Sequence, residues 1–244
     1  MSLTRRETLG ALVAGSAALF VATPGARAAE PDAAPAARRF EPGRHAVAPL
    51  PFDPTKLSGL SERLLVSHHD NNYAGAVKNL NAVETQLAAT SKDTPGFQVA
   101  ALRDRELTFA NSMVLHELYF ANLGGDGKPG GAVQQALADT FGGFARFEEL
   151  MRATAASLAG GSGWAILALD LGGGGLRIQG SANHTQSFAT ATPLLVLDMY
   201  EHAYQMDYGA AASRYIDAFF TNLRWDEVDR RYARAVRAAR ALQG

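Results

Sequence analysis

The sequence predicts an α+β chain: an N-terminal antiparallel helical hairpin followed by an α/β domain with a small three-stranded antiparallel sheet. Three observations carry this expectation. Two long stretches repeat apolar or aromatic residues at helical spacing, Tyr73-Val77-Leu80-Val83-Leu87 and Phe109-Met113-His116-Phe120-Leu123. A run of breakers without apolar content, Gly124 to Gly131, follows them. Beyond it lie short apolar runs of strand character, at 164–171 and 176–181 around four glycines, Gly172 to Gly175, and at 194–198. With 244 residues, 47% of them hydrophobic, the chain has enough apolar material for a sizeable core.

Residues 1–28 read as an export signal rather than part of the fold. Arg5-Arg6 precedes an apolar stretch, Leu9 to Val21, that is too short to span a bilayer. Ala26-Arg27-Ala28 then supplies a small-x-small cleavage site. The twin arginine is similar to the Tat signal, with Thr8 where that signal usually has an apolar residue; an ordinary Sec signal is the alternative. Either one sends the mature chain out of the cytoplasm, with the periplasm as the expected destination. Cleavage removes three arginines and one glutamate, which takes the formal net charge from −1 to −3. Residues 29–48, rich in Ala, Pro and Arg, read as a disordered lead-in, with His45 as a tail residue that has no site around it.

The hairpin domain is expected over 49–124 and the C-terminal domain over 125–244. Pro49-Leu-Pro-Phe-Asp-Pro54 is stiff and extended, because proline restricts itself and its predecessor. Ser61 is a suitable N-cap for the first long helix. The second runs from about 98 to 122. Helices are expected at about 131–140 and 144–158, then the three strands, then helices at about 210–222 and 226–242. The four glycines of the hairpin turn are not a phosphate loop, since no helix start and no Lys-Ser/Thr follow them.

There are no cysteines, so a bound metal can be held only by His, Asp or Glu, from six histidines in all. The near-neutral charge, without basic blocks, points away from nucleic acid. Asp198 closes the apolar run Leu194-Leu-Val-Leu197, and His202 follows four residues later. Burying a carboxylate and an imidazole is costly unless they pair or bind a metal. A strand-end hydrogen-bonded pair and half of a metal site both fit this spacing. His116, on the apolar stripe of the second helix, fits a bonded core histidine as well as a ligand.

Taken together, several stretches resemble the iron/manganese superoxide dismutase family over roughly residues 48 to 240. They are Pro49-Leu-Pro-Phe52, His68-His-Asp70 with Asn79-Leu-Asn81, the His116 helix, Gly161-Ser-Gly-Trp164, Ser181-Ala-Asn183 and Asp198-Met-Tyr-Glu-His-Ala-Tyr204. The last resembles the family's D-x-W-E-H-A-Y signature, with Tyr200 in the tryptophan position. The resemblance implies one iron or manganese ion per subunit held by His68, His116, Asp198 and His202, and conversion of superoxide to oxygen and hydrogen peroxide. Aligning Asn79-Leu-Asn81 selects His68 as ligand, whereas helical periodicity alone favours His69, which continues the Tyr73–Val77 stripe.

The resemblance also implies a group that hydrogen-bonds the solvent at the metal, commonly a glutamine. Ser112 is too short for this, and His184 is the candidate. Trp164 is expected beside the metal. Glu201 is expected to cross a homodimer interface to the partner's ligand histidine. The departures lie in the outer funnel. Asn72 and Ala76 replace a histidine and a tyrosine, Ala212 (with Arg214 nearby) an arginine, and Asn71 a lysine. Tyr73 or Tyr204 is the expected substitute for the lost hydroxyl. Without the cations, capture of an anion should be slower. The other reading of these departures is the same fold and metal site with weak or absent dismutation. Such a protein would bind metal, or oxidise and reduce another small substrate admitted beside Ala76. No membrane contact is expected after signal removal.

Overall fold

The computed structural model describes residues 41–243; the signal and most of the lead-in, residues 1–40, lie outside them. The first long helix is interrupted. Helix α1 (Glu62–Ser67) and α2 (Ala74–Ala88) are joined by one π-helical stretch, His68–Tyr73, in which Ala74 N–H reaches back to His69 C=O. Ser61 caps α1 as expected, its hydroxyl accepting from Leu64 N–H at 3.1 Å. The i→i+5 turn inserts one residue into the helical repeat. It thereby brings His68 onto the buried face that carries Leu64, Leu65, Tyr73, Val77 and Leu80. That insertion is why an uninterrupted α-helical count favours His69.

Helix α3 (Gly96–Ala121) returns antiparallel to α2, and the two pack along their apolar stripes. Two helices follow, α4 (Gly131–Phe141) and α5 (Phe144–Ala156). Then come strands β1 (Trp164–Asp170), β2 (Leu176–Ser181) and β3 (Ala191–Asp198), all antiparallel in the order β2-β1-β3. Central β1 is buried from Trp164 to Leu169, which accounts for its continuous apolar run. The short α6 (Gln205–Tyr208), then α7 (Ala212–Thr221) and α8 (Trp225–Gln243), close the chain. No helix among the described residues is long and apolar enough to cross a membrane.

Hairpin and sheet are tied together at the end of α3. Asn122, fully buried, accepts from Val196 N–H of β3 at 3.0 Å, and its carbonyl accepts from Arg224 N–H at 2.8 Å. Arg231 of α8 is buried beside it and donates to the carbonyls of Leu194 and Leu118. These groups cover the outer edge of β3, where strand carbonyls and amides would otherwise lack partners.

The end of the lead-in is ordered, contrary to expectation. From Gly43 to Ala48 it lies along α2. Asn81 pairs with both backbone groups of His45, at 2.8 and 2.9 Å. His45 is no free tail residue: its Nε2 lies 2.9 Å from the buried carboxylate of Glu84, which also accepts from Gly43 N–H at 2.7 Å. Composition alone could not reveal this, because the partners are supplied by α2.

Candidate metal centre

Four side chains from four places in the chain converge where the hairpin meets the sheet. His68 comes from the π stretch, His116 from α3, Asp198 from the end of β3, and His202 from the short 3-10 turn Glu201–Ala203 that follows. Their ligand atoms all lie within 4.8 Å of one another. Asp198 Oδ2 is 3.1 Å from His68 Nε2, 3.2 Å from His202 Nε2 and 3.7 Å from His116 Nε2. Its other oxygen accepts from Tyr200 N–H at 2.9 Å, and its carbonyl from the Tyr215 hydroxyl at 2.7 Å. His69 points elsewhere, bonding Ala48 C=O and Asp70. The structure therefore places His68, not His69, in the cluster.

Protonation shows what the cluster is built to hold. His116 Nδ1–H donates to Ser112 C=O at 2.7 Å, leaving Nε2 of the neutral ring as a bare lone pair. That Nε2 is buried and has no hydrogen-bond partner. Burial, reinforced by the neighbouring His68, pushes the His116 pKa down to about 3, so the ring stays neutral. A lone pair thus faces the Asp198 carboxylate with no proton between them. Burial alone would raise the Asp198 carboxyl, but His202 and His68 hold it well below the usual range. Three imidazoles and one carboxylate, with a lone pair aimed inward and no thiolate, fit a first-row metal ion such as iron or manganese. A cation at that point turns an unfavourable arrangement into a bonded one.

The sheet explains the surrounding shell. Pairing sets Trp164 between Ser181 and Asp198. Gly163, just before it, has φ +144°, and a Cβ there would lie 2.2 Å from Ser181 C=O. Its own carbonyl accepts from Met199 N–H at 2.9 Å. The glycine of Gly161-Ser-Gly-Trp164 is thus required by close backbone approach. Trp164 Nε1–H donates to His184 Nδ1 at 3.0 Å, so the neutral His184 ring carries its proton on Nε2. Burial lowers the His184 pKa, which favours that neutral form. Asn111 holds the His184 carbonyl at 2.7 Å. The rings of His184, Tyr200 and His202 stack in sequence, with centroids 4.9 and 5.3 Å apart.

A cavity of about 270 Å³ opens onto this cluster. Asn71, Asn72, Ala76, Asn79, Thr108 and Ser112 line it, together with His116, His184 and His202, and no Lys, Arg, Asp or Glu does. Asn72 and Ala76 both line this cavity. The expected substitute hydroxyls do not. Tyr73 donates to Glu117 at 2.9 Å and accepts from Ala48 N–H at 2.8 Å, so its hydroxyl serves the lead-in. Tyr204 accepts from Gly160 N–H at 3.2 Å and stacks on Tyr215. Neither lines the cavity. Arg214 leans over the Tyr208 ring and Ala212 is buried, so the missing cation is not replaced from there. Glu201 is exposed. The Ser112 carbonyl and the Tyr215 hydroxyl escaped sequence reasoning; the first is a backbone group, and the second lies seventeen residues from the aspartate it supports.

Comparison with known proteins identifies relatives along most of the chain. Residues 129–231 match the model for the C-terminal domain of iron/manganese superoxide dismutases. A protein of Cupriavidus metallidurans named superoxide dismutase (Fe) is 46% identical over 190 residues, covering 78% of this chain and 96% of that protein. One of Aquifex aeolicus, also named superoxide dismutase (Fe), is 34% identical over 211 residues, covering 82% and 98%. Superoxide dismutase (Mn) 2 of Haloferax volcanii is 36% identical over 194 residues, covering 77% and 95%.

Proposed function

The chain belongs to the iron/manganese superoxide dismutase family, and on that premise we propose that it converts superoxide to oxygen and hydrogen peroxide at the centre formed by His68, His116, Asp198 and His202. The observation that carries this is the buried, unpartnered His116 Nε2 facing the Asp198 carboxylate. A bound iron or manganese ion supplies the one-electron couple that oxidises one superoxide and reduces a second. The chain's own groups prepare the rest. Ser112 fixes the His116 tautomer, Tyr200 N–H and Tyr215 hold Asp198, and Trp164 leaves His184 with Nε2–H as its donor on a ring that lines the cavity. We assign to His184 the hydrogen bond to the solvent in the site and the holding of a proton there.

The finer points of the reading rest on separate observations. Iron is favoured as the resident ion by the 46% identity to a protein named for iron. A homodimer is supported by exposed Glu201 beside His202, whose side chain is 25% exposed while that of His68 is 1% exposed. Export is supported by Arg5-Arg6, the apolar stretch to Val21 and Ala26-Arg-Ala28. Purified chain loaded separately with iron and manganese tests the core of it. Dismutation by at least one form, lost when His116 is replaced by Ala, is the expected result. Bound metal with negligible activity in both forms would refute it. Ala76→Tyr with Asn72→His should raise activity if the open funnel limits turnover.

A further inference from the structure

A second cavity, about 450 Å³, is lined by residues of α3 and α8, by Thr192 and Pro193 of β3 and by Leu171. It is larger than the one at the metal centre, and no step proposed above uses it. Arg230, Arg231 and Arg234 form one wall. The floor is apolar: Val114, Leu118, Leu171, Pro193 and Ala235. Thr192 adds a hydroxyl that makes no hydrogen bond among the described residues.

The charges here are unequal in what they are free to do. Glu227 is engaged by both Arg230 and Arg231, through bonds of 2.6 to 2.8 Å. Glu117, the other carboxylate of the lining, accepts from the neutral Tyr73 hydroxyl and so keeps its negative charge. Arg234 is exposed and has no ion pair or hydrogen bond among the described residues. It stands one helical turn from Arg230, so the two point along the same face of α8. From Arg230 to Gln243 the sequence has five arginines and no acid, in a chain whose overall charge is −1. Three arginines against the two carboxylates Glu117 and Glu227 leave the lining net positive, with all of its positive charge on α8.

We propose that this cavity binds a small amphiphilic anion: a phosphate or carboxylate head group on a short alkyl chain. Guanidinium groups engage such oxyanions through paired N–H bonds. Inorganic phosphate would give Arg234 a counter-charge but leave the apolar lining in water. A neutral amphiphile would cover the floor but leave Arg234 without a counter-charge. A volume of this size is ordinary for a small-molecule site. The head group's source is either a membrane lipid or a free amphiphile, and the chemistry of the site is the same for both.

The test uses the metal-loaded mature protein. Hexyl phosphate is titrated calorimetrically, with inorganic phosphate and hexanol as comparisons. Saturable binding of one hexyl phosphate per chain is expected, at least tenfold tighter than either comparison. Arg234→Glu should weaken it tenfold or more, and Ala238→Phe, which fills the cavity, should weaken it similarly. Arg237→Glu makes the same charge change off the cavity wall and should alter binding less than about twofold. None of these residues touches the metal centre, so dismutation should not change. Co-sedimentation with phosphatidylglycerol vesicles, but not phosphatidylcholine vesicles, would assign the head group to a lipid; hexyl phosphate binding without vesicle capture would assign it to a free amphiphile. No saturable hexyl phosphate binding, or equal losses from Arg234→Glu and Arg237→Glu, would overturn the proposal.

Discussion

His68 and His69 are adjacent, and replacing each by alanine separates the π-turn geometry from an uninterrupted helix. His68→Ala removes one of four groups that approach the metal position and leaves Asp198 with a lost partner at 3.1 Å. Supporting residues around metal ligands commonly cost 10–100-fold in affinity when removed, and a direct ligand should cost more. His69→Ala loses two hydrogen bonds, to Ala48 C=O at 2.8 Å and to Asp70 at 2.7 Å. The Asp70 partner is exposed and contributes little. The loss is then about 1–2 kcal/mol, mostly from the lead-in contact. For a chain of this size that lowers the melting temperature by about 2–8 °C. Metal content measured by mass spectrometry after purification should fall below about a tenth of one ion per chain for His68→Ala and stay near one for His69→Ala. Calorimetry should show the modest loss in the second. Retained metal in His68→Ala with lost metal in His69→Ala would refute the assignment and the π-turn argument together.

Gly163→Ala places a Cβ 2.2 Å from Ser181 C=O at a φ of +144°; it should cost at least about 3 kcal/mol and lower metal occupancy, read by denaturant unfolding and metal analysis. In the metal-free protein, burial holds His116 at about 3 against 6.5 for an ordinary imidazole. Below about pH 6.5 the unfolded chain gains a proton that the folded chain refuses until about pH 3. Stability is therefore fully present above that window and falls as pH drops through it; a melting temperature flat between pH 8 and pH 4 would contradict this. Trp164→Phe removes the donor that sets the His184 tautomer. It should reduce kcat by about tenfold, matching the 1–1.5 kcal/mol of one hydrogen bond, with metal content unchanged, and ¹⁵N resonances of the metal-free protein should show the ring proton no longer confined to Nε2. With no charged residue lining the funnel, kcat/KM should vary less than about threefold between low and physiological salt, whereas a steered enzyme would show a steep fall.

The parts of this molecule that were legible in the sequence are those where residue chemistry and local spacing speak for themselves. The order of helices and strands followed from apolar periodicity, whereas the full set of four ligands came from the resemblance to a family, since periodicity alone favoured His69 over His68. Asp198 illustrates the point: a carboxylate ending a run as apolar as Leu194–Leu197 has to be compensated, and without cysteine the compensation comes from histidine or a cation. Three features were hidden, each for a different reason. The π turn adds one residue to a repeat, and an inserted residue is invisible to a count that assumes a constant period. The lead-in looked disordered because its composition offers no core, yet Asn81, Glu84 and His69 on the helix supply the bonds that fix it. The hydroxyls of Tyr73 and Tyr204 are available by residue type to replace the one lost at Ala76, whereas orientation decides their use: each turns to a distant backbone amide. The arginines of α8 follow the same rule. Spread at helical spacing, they form no basic block along the chain, and only the fold gathers Arg230 and Arg234 over one cavity. What sets this chain apart is accordingly the Asn72–Ala76 wall, where the structure opens space and withholds charge, and not the metal ligands themselves.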